Sequence, residues 1–218
     1  RVSMISKSFS NINHWVFDLD NTLYPPEARL FDQIEIKMTE WVSQNLSISK
    51  YKANILREKY WRNYGTTLAG LMREHHIRPD DYLTYVHDIS FDSLESNPIL
   101  KNLIAALPGR KIVYTNGTAP YAKRVLGALD LESVFDHVYG VENADYFPKP
   151  EEKAYKIIFK KEQLNPLKSA MFEDEPRNLK VPYLLGMKTV FVSPKVQEEK
   201  FINFHTKCLS GFLKQLIT

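Results

Sequence analysis

The chain has 218 residues, of which 44% are apolar and 25% charged, and its formal net charge is +3. These values exclude a disordered chain and leave room for one sizeable core with a smaller partner. No strong basic block marks a binder of polymeric nucleic acid, and no apolar run reaches the length of a membrane span.

The opening stretch, 1–13, lacks the apolar segment of a signal peptide. The one cysteine, Cys208, can form no intrachain disulfide, which suits a reducing, cytoplasmic setting. Cys208 is expected to pack as an apolar residue in a C-terminal helix.

In chain order, the first strong signal is His14-Trp-Val-Phe-Asp18, a short apolar run that ends in an acid and reads as a buried strand. Four similar runs follow: Lys111–Thr115, the weaker His137–Val141, Ser169–Glu173 and Lys188–Val192. Helical patterns lie between and after them at Ala119–Leu129, Glu151–Lys161 and Pro176–Leu185. This alternation predicts an α/β protein, a three-layer Rossmann-like parallel sheet covered on both faces.

The interval from Leu19 to Arg110 breaks the rhythm, because it far exceeds the dozen or so residues that a crossover needs. It holds helical stretches at Ala28–Gln44, Lys50–Tyr64, Thr67–His75 and Pro79–His87, and Asn97-Pro98 then opens a helix that leads back to the sheet. An inserted helical cap domain is expected at 25–95, with the α/β core at 1–24 and 96–218. A doubly tethered cap suits a lid.

Polar residues gather where the strands end, which is where parallel sheets bind ligands. They are Asp18-Leu-Asp20-Asn-Thr22, Thr115-Asn116-Gly117, Glu173-Asp174, and a Lys149-Pro150 pair ahead of a helix. Each alone could be a turn or a helix cap. Together they fit phosphoryl transfer. The Asp18 carboxylate can attack phosphorus and form an aspartyl-phosphate. Mg²⁺, held by Asp18 and Asp174, would offset the negative charge. Lys149, Thr115 and Asn116, with Gly117 beside them, would hold the phosphate oxygens. Asp20 can protonate the leaving alkoxide and then deprotonate the attacking water. Asn21 tolerates the left-handed backbone of a tight turn.

Asp18-Leu-Asp20-Asn-Thr22 resembles the first motif of the haloacid dehalogenase-like hydrolases. Tyr114-Thr115-Asn116-Gly117 resembles the second, Lys149-Pro150 the third and Phe172-Glu173-Asp174 the fourth. The likeness spans almost the whole chain, including the helical insertion. Within that superfamily, Asp18–Pro25, Tyr64–Leu68, Tyr85–Asp88 and Phe172–Leu179 resemble the pyrimidine 5′-nucleotidase group. The resemblance implies a Mg²⁺-dependent phosphomonoesterase acting on nucleoside 5′-monophosphates, pyrimidine ones by preference. It implies Asp18 as nucleophile and metal ligand, and Asp20 as general acid/base that binds metal through its backbone carbonyl. Asp174 would be a direct ligand, and Glu173 a further ligand or one acting through water. Asn178 stands where some phosphatases carry another acid. True dehalogenases lack the second Asp, so Asp20 favours phosphate esters over carbon–halogen bonds.

Substrate choice is expected in the cap, where Tyr24, Tyr60, Trp61, Tyr64 and Thr66 are candidates, although Tyr60 and Trp61 read equally as core aromatics. His75-His76 reads as a surface helix end, and His87-Asp88 as structural or facing the site. The partner is expected to be a small phosphate ester, with the protein a monomer or homodimer. The alternatives are a sugar phosphate or phosphoglycolate as substrate, or a non-catalytic module. The last would lack Asp18 or Lys149, and both are present.

Overall fold

A computed structural model describes residues 3–217 of the chain. A short helix α1 (Met4–Ser8) precedes strand β1 (His14–Phe17). Four helices follow, α2 (Leu30–Leu46), α3 (Lys50–Tyr64), α4 (Thr67–His75) and α5 (Pro79–Val86), and α6 (Pro98–Ala106) leads into β2 (Arg110–Tyr114). The rest alternates: α7 (Ala119–Leu129), β3 (His137–Tyr139), α8 (Glu152–Glu162), β4 (Ser169–Glu173), α9 (Lys180–Leu185) and β5 (Lys188–Val192), then β6 (Phe204–Thr206) and α10 (Leu209–Ile217).

The six strands run parallel in the order β3-β2-β1-β4-β5-β6. This is the doubly wound arrangement, in which the chain reverses its direction of travel beside β1 and leaves a crevice at the strands' carboxyl ends. Strand alternation sorts the core. Trp15, Phe17, Val113 and Phe172 pack on one face, while Val16, Ile112, Tyr114 and Met171 pack on the other. Both faces are apolar because helices cover both, which is why these strands read as continuous apolar runs.

Local chemistry sets the helix ends. Asn97 accepts a hydrogen bond from the Leu100 N–H at 3.1 Å, with Pro98 in the first turn of α6. His76 ends α4 in the left-handed conformation. The helix expected over Pro176–Leu185 is divided into a 3-10 turn at Pro176–Leu179 and α9. Pro182 explains the break, because its ring disfavours a helical carbonyl four residues back. That carbonyl, of Asn178, instead accepts the Tyr155 hydroxyl at 2.6 Å. Cys208 is exposed and lies just before α10 rather than packed within it. Lys156 and Lys160 lie on the solvated face of α8. Among the described residues, no helix is long and apolar enough to cross a membrane.

One buried acid ties a helix to three strands. Glu162, at the end of α8, has a side chain only 1% exposed. It accepts from Arg110 Nε at 2.5 Å and Nη2 at 3.0 Å, and from the Tyr139 hydroxyl at 2.7 Å; His14 Nε2 lies 2.6 Å away. Burial pushes its carboxyl up, but the bonds from Arg110, Tyr139 and His14 outweigh that and hold it below the ordinary glutamate range. A depressed acid stabilises the fold above its unfolded pKa and loses that contribution as pH falls through the folded one. Glu162→Gln is therefore expected to cost about 2–3 kcal/mol at pH 7, the low side of a broken buried pair because Arg110 is half-exposed. The gap should shrink below about pH 4. Urea unfolding at pH 7 and pH 3.5 checks this; a variant as stable as wild type at pH 7 would contradict it.

Candidate active site

The end of β1 is the centre of the site. The Asp18 N–H donates to the Phe172 carbonyl at 3.0 Å, which fixes the backbone between β1 and β4. Asn21 then turns the chain with φ of 60°, the left-handed conformation that Asn tolerates. The carboxylate of Asp18 is held on both sides. Lys149 Nζ donates to Oδ1 at 3.0 Å, and the Thr22 hydroxyl donates to Oδ2 at 3.1 Å.

Lys149 is 1% exposed, yet its ammonium is fully satisfied. Beyond Asp18, it donates to Glu173 Oε1 at 2.6 Å and to the Tyr114 carbonyl at 2.9 Å. Burial alone would push this ammonium down; Asp18 and Glu173 together outweigh it and hold it above the ordinary lysine range. Asn116 clamps the Lys149 backbone. Its Oδ1 accepts the Lys149 N–H at 2.8 Å and its Nδ2 donates to the Lys149 carbonyl at 3.1 Å. The Asn116 amide is thus spent on locating Lys149. The buried Thr115 hydroxyl accepts the Gly117 N–H at 3.0 Å.

Asp20 sits two residues on, with Oδ1 accepting the hydroxyls of Tyr24 and Tyr121, each at 2.8 Å. Its carboxyl is pushed up to about 6, by burial first and then by the charge of Asp18. Burial and the charge of Asp20 push both phenols far up, so they remain donors. His87 stacks on Tyr121 with ring centroids 4.1 Å apart. Burial, then Arg124, pushes its imidazole down to about 4, so it is neutral at pH 7.

Carboxylate oxygens of Asp18, Glu173 and Asp174 lie within 4.8 Å of one another. Burial, then Asp18, pushes Glu173 up to about 7, and it raises Asp174 well above the ordinary range. Lys149 is the only cation bonded to this cluster among the described residues. Clustered oxygens with surplus negative charge suit a hard divalent cation. Glu173 is the least available of them. Its oxygens already accept from Lys149, from Asn178 Nδ2 at 3.2 Å and from the Glu175 N–H at 3.2 Å. Asn178 thus supports Glu173 from the position where an acid was considered.

A cavity of about 690 Å³ opens over these groups, with Asp18, Asp20, Thr115, Asn116, Gly117, Lys149, Glu173 and Asp174 on its floor. Helices α2 to α5 supply the opposite wall. The helical wall and the floor touch at Gly65, whose φ of 99° ends α3 beside the Lys149 carbonyl, where a Cβ would come to 3.0 Å. Arg177 joins the two parts, donating to the Trp61 carbonyl and to the Gly65 carbonyl at 2.8 Å each, with its guanidinium 3.6 Å from the Trp61 ring centre.

The expected residues are therefore gathered, apart from two tyrosines. Tyr24 is 2% exposed and serves Asp20 from behind, outside the cavity wall. Tyr64 donates to Glu74 and lines a separate hollow with Arg73 and Tyr146. Trp61 faces the cavity and is 41% exposed, while Tyr60 is packed away. Thr66 lines the cavity and caps α4. Thr22 and Tyr121 were missed. Thr22 lay inside the quoted motif, but no sequence signal ties Tyr121 to an acid 101 positions earlier.

A model of the haloacid dehalogenase-like hydrolases matches residues 12–181. The chain belongs to that family and is a hydrolase. Phosphate metabolism protein 8 of Saccharomyces cerevisiae is 25% identical over 190 residues, 78% of this chain and 58% of that protein, so the chain spans 58% of that relative's length. A haloacid dehalogenase-like phosphatase from Thermococcus onnurineus superposes with a TM-score of 0.62 at 17% identity, over 94% of this chain and 98% of that one. Magnesium-bound YfnB from Bacillus subtilis gives 0.58 at 16%, with the same coverage. An L-2-haloacid dehalogenase from Xanthobacter autotrophicus with covalently bound chloropropionic acid gives 0.58 at 14%, over 93% and 97%. A phosphatase and a dehalogenase both share this hydrolase's backbone, so the choice of chemistry rests on its side chains.

Proposed function

We propose that this hydrolase is a Mg²⁺-dependent phosphomonoesterase that hydrolyses nucleoside 5′-monophosphates, preferring pyrimidines, through an aspartyl-phosphate on Asp18. The observation that carries the reading is the pair of carboxyls at the end of β1. Asp18 is held by Lys149 and Thr22 on the cavity floor, and Asp20 beside it is fixed by two phenols. A carbon–halogen bond releases halide and needs no proton donor, whereas an ester releases an alkoxide that does.

An Asp18 oxygen attacks phosphorus while the ester P–O bond breaks, and the alkoxide takes the proton of Asp20. Asp20, now a carboxylate, removes a proton from water, whose oxygen attacks the phosphorus. Phosphate leaves, and the Asp18 carboxylate is restored. Lys149 and the Thr115 hydroxyl balance the phosphoryl oxygens. Asn116 positions Lys149, and Gly117 lines the cavity with its N–H held by the Thr115 hydroxyl. Asp18, Asp174 and the backbone carbonyl of Asp20 would hold Mg²⁺, with Glu173 through water; the ion supplies charge neutralisation. The core, 1–24 and 96–218, would carry this chemistry, and 25–95 would form the cap that encloses the leaving group.

The test is phosphate release from nucleoside monophosphates, hexose phosphates and phosphoglycolate, with Mg²⁺ or with chelator. Release from UMP and CMP should exceed release from the others about tenfold or more and should vanish with chelator. Preference for a hexose phosphate, or activity indifferent to chelator, would contradict it.

A further inference from the structure

The cap side of the cavity holds two buried donors with nothing to bond. Arg57 on α3 uses Nη2 to reach Asn54 Oδ1 at 3.2 Å, while Nη1 lies 3.6 Å from the Met38 sulfur and Glu35 Oε2 is 3.8 Å from Nη2. Its Nε is buried and has no hydrogen-bond partner among the described residues. Tyr82 on α5 is 1% exposed, and its ring meets Trp41 edge-on at 5.2 Å. Its hydroxyl is likewise buried without a partner. Both residues line the cavity over Asp18. Burial pushes the phenol up, with the nearby Arg57 charge pulling the other way, so the hydroxyl keeps its proton.

An unbonded buried donor costs stability in the free protein. Two of them on one wall of a reaction cavity are explained if a bound molecule supplies the missing acceptors. The charges around them narrow its nature. Glu35 and Glu58 line the same wall as Arg57, so the wall's net charge does not favour an anionic leaving group. Ile34 and Met38 supply apolar surface between. A cavity of about 690 Å³ takes a ligand of nucleoside size.

We propose that Arg57 and Tyr82 are specificity-determining residues, donating hydrogen bonds to acceptor oxygens of an uncharged leaving group. This rests on the phosphomonoesterase reading. A nucleoside and a neutral sugar share that chemistry; a carboxylate leaving group does not.

The experiment compares wild type, Tyr82→Phe and Arg57→Gln on UMP, a hexose phosphate, phosphoglycolate and phenyl phosphate. The phenyl leaving group carries no acceptor beyond the ester oxygen. The ratio of kcat/KM for the better neutral ester to that for phenyl phosphate should fall about tenfold in each variant, chiefly through KM. Tyr82→Phe should melt no lower than wild type, because it deletes an unbonded hydroxyl. Which neutral ester responds distinguishes a nucleoside from a hexose as the leaving group. An unchanged ratio in both variants would overturn the proposal, as would a lower melting point for Tyr82→Phe. So would phosphoglycolate as the best wild-type substrate with its turnover lost in Arg57→Gln. Those results leave phosphatase chemistry standing, whereas no phosphate release by wild type, even from phenyl phosphate, would remove both.

Discussion

Asp18→Asn is expected to cut phosphate release by a factor on the order of 10⁴ or more while leaving the protein folded. The amide cannot attack phosphorus, and among the described residues Asp18 is the one carboxylate held by both Lys149 and Thr22. The side chain still fits its site, because an amide oxygen can accept from Lys149 or Thr22. Stability should hold or rise. Beyond burial, the charge of Asp18 helps to raise the carboxyls of Asp20, Glu173 and Asp174, so its removal relieves repulsion among buried acids. Steady-state kinetics beside a thermal melt check both halves. Substantial turnover in a folded variant would end the nucleophile assignment.

Lys149→Met is expected to fail differently, losing both activity and stability. Three hydrogen bonds end on this ammonium, and its removal leaves Asp18 and Glu173 buried with no counter-charge. Removing one partner of a buried pair costs about 3–5 kcal/mol. Part should return on acidification, because Glu173 already sits at about 7 and can take a proton instead. Activity should fall on the order of 10²–10³-fold through loss of charge opposite the phosphoryl oxygens. Denaturant unfolding at pH 5 and pH 8 separates the effects: the deficit against wild type should be smaller at pH 5. An equal deficit at both values would mean that the buried acids are not its source.

Much of this arrangement is legible in the chain because the chemistry and the topology coincide. Parallel strands covered on both faces must be apolar runs, so His14–Phe17 and Ser169–Glu173 declare themselves, and the acids that end such runs fall at the sheet's carboxyl edge. The long helical interval is equally visible, since no strand pattern interrupts it. Less legible was β6. Phe204–Thr206 is three residues, half-buried at a sheet edge, too short for a period to appear.

Side-chain partnerships were the least legible. Tyr24 looked like a substrate contact, but its place beside Asp20 depends on how the chain turns after Asn21. Asn116 looked like a phosphate ligand and proves to spend its amide on Lys149. Arg57 and Tyr82 carry no motif at all. They become conspicuous only once folding has buried their donors and left them unbonded.

The most direct test of the central claim is borohydride trapping during turnover, followed by mass spectrometry of the peptide that contains Asp18. An acyl phosphate on Asp18 would be reduced to homoserine, and the account predicts homoserine at that position only when substrate is present. Phosphate release under the same conditions with Asp18 intact, or with the modification at another acid, would contradict it.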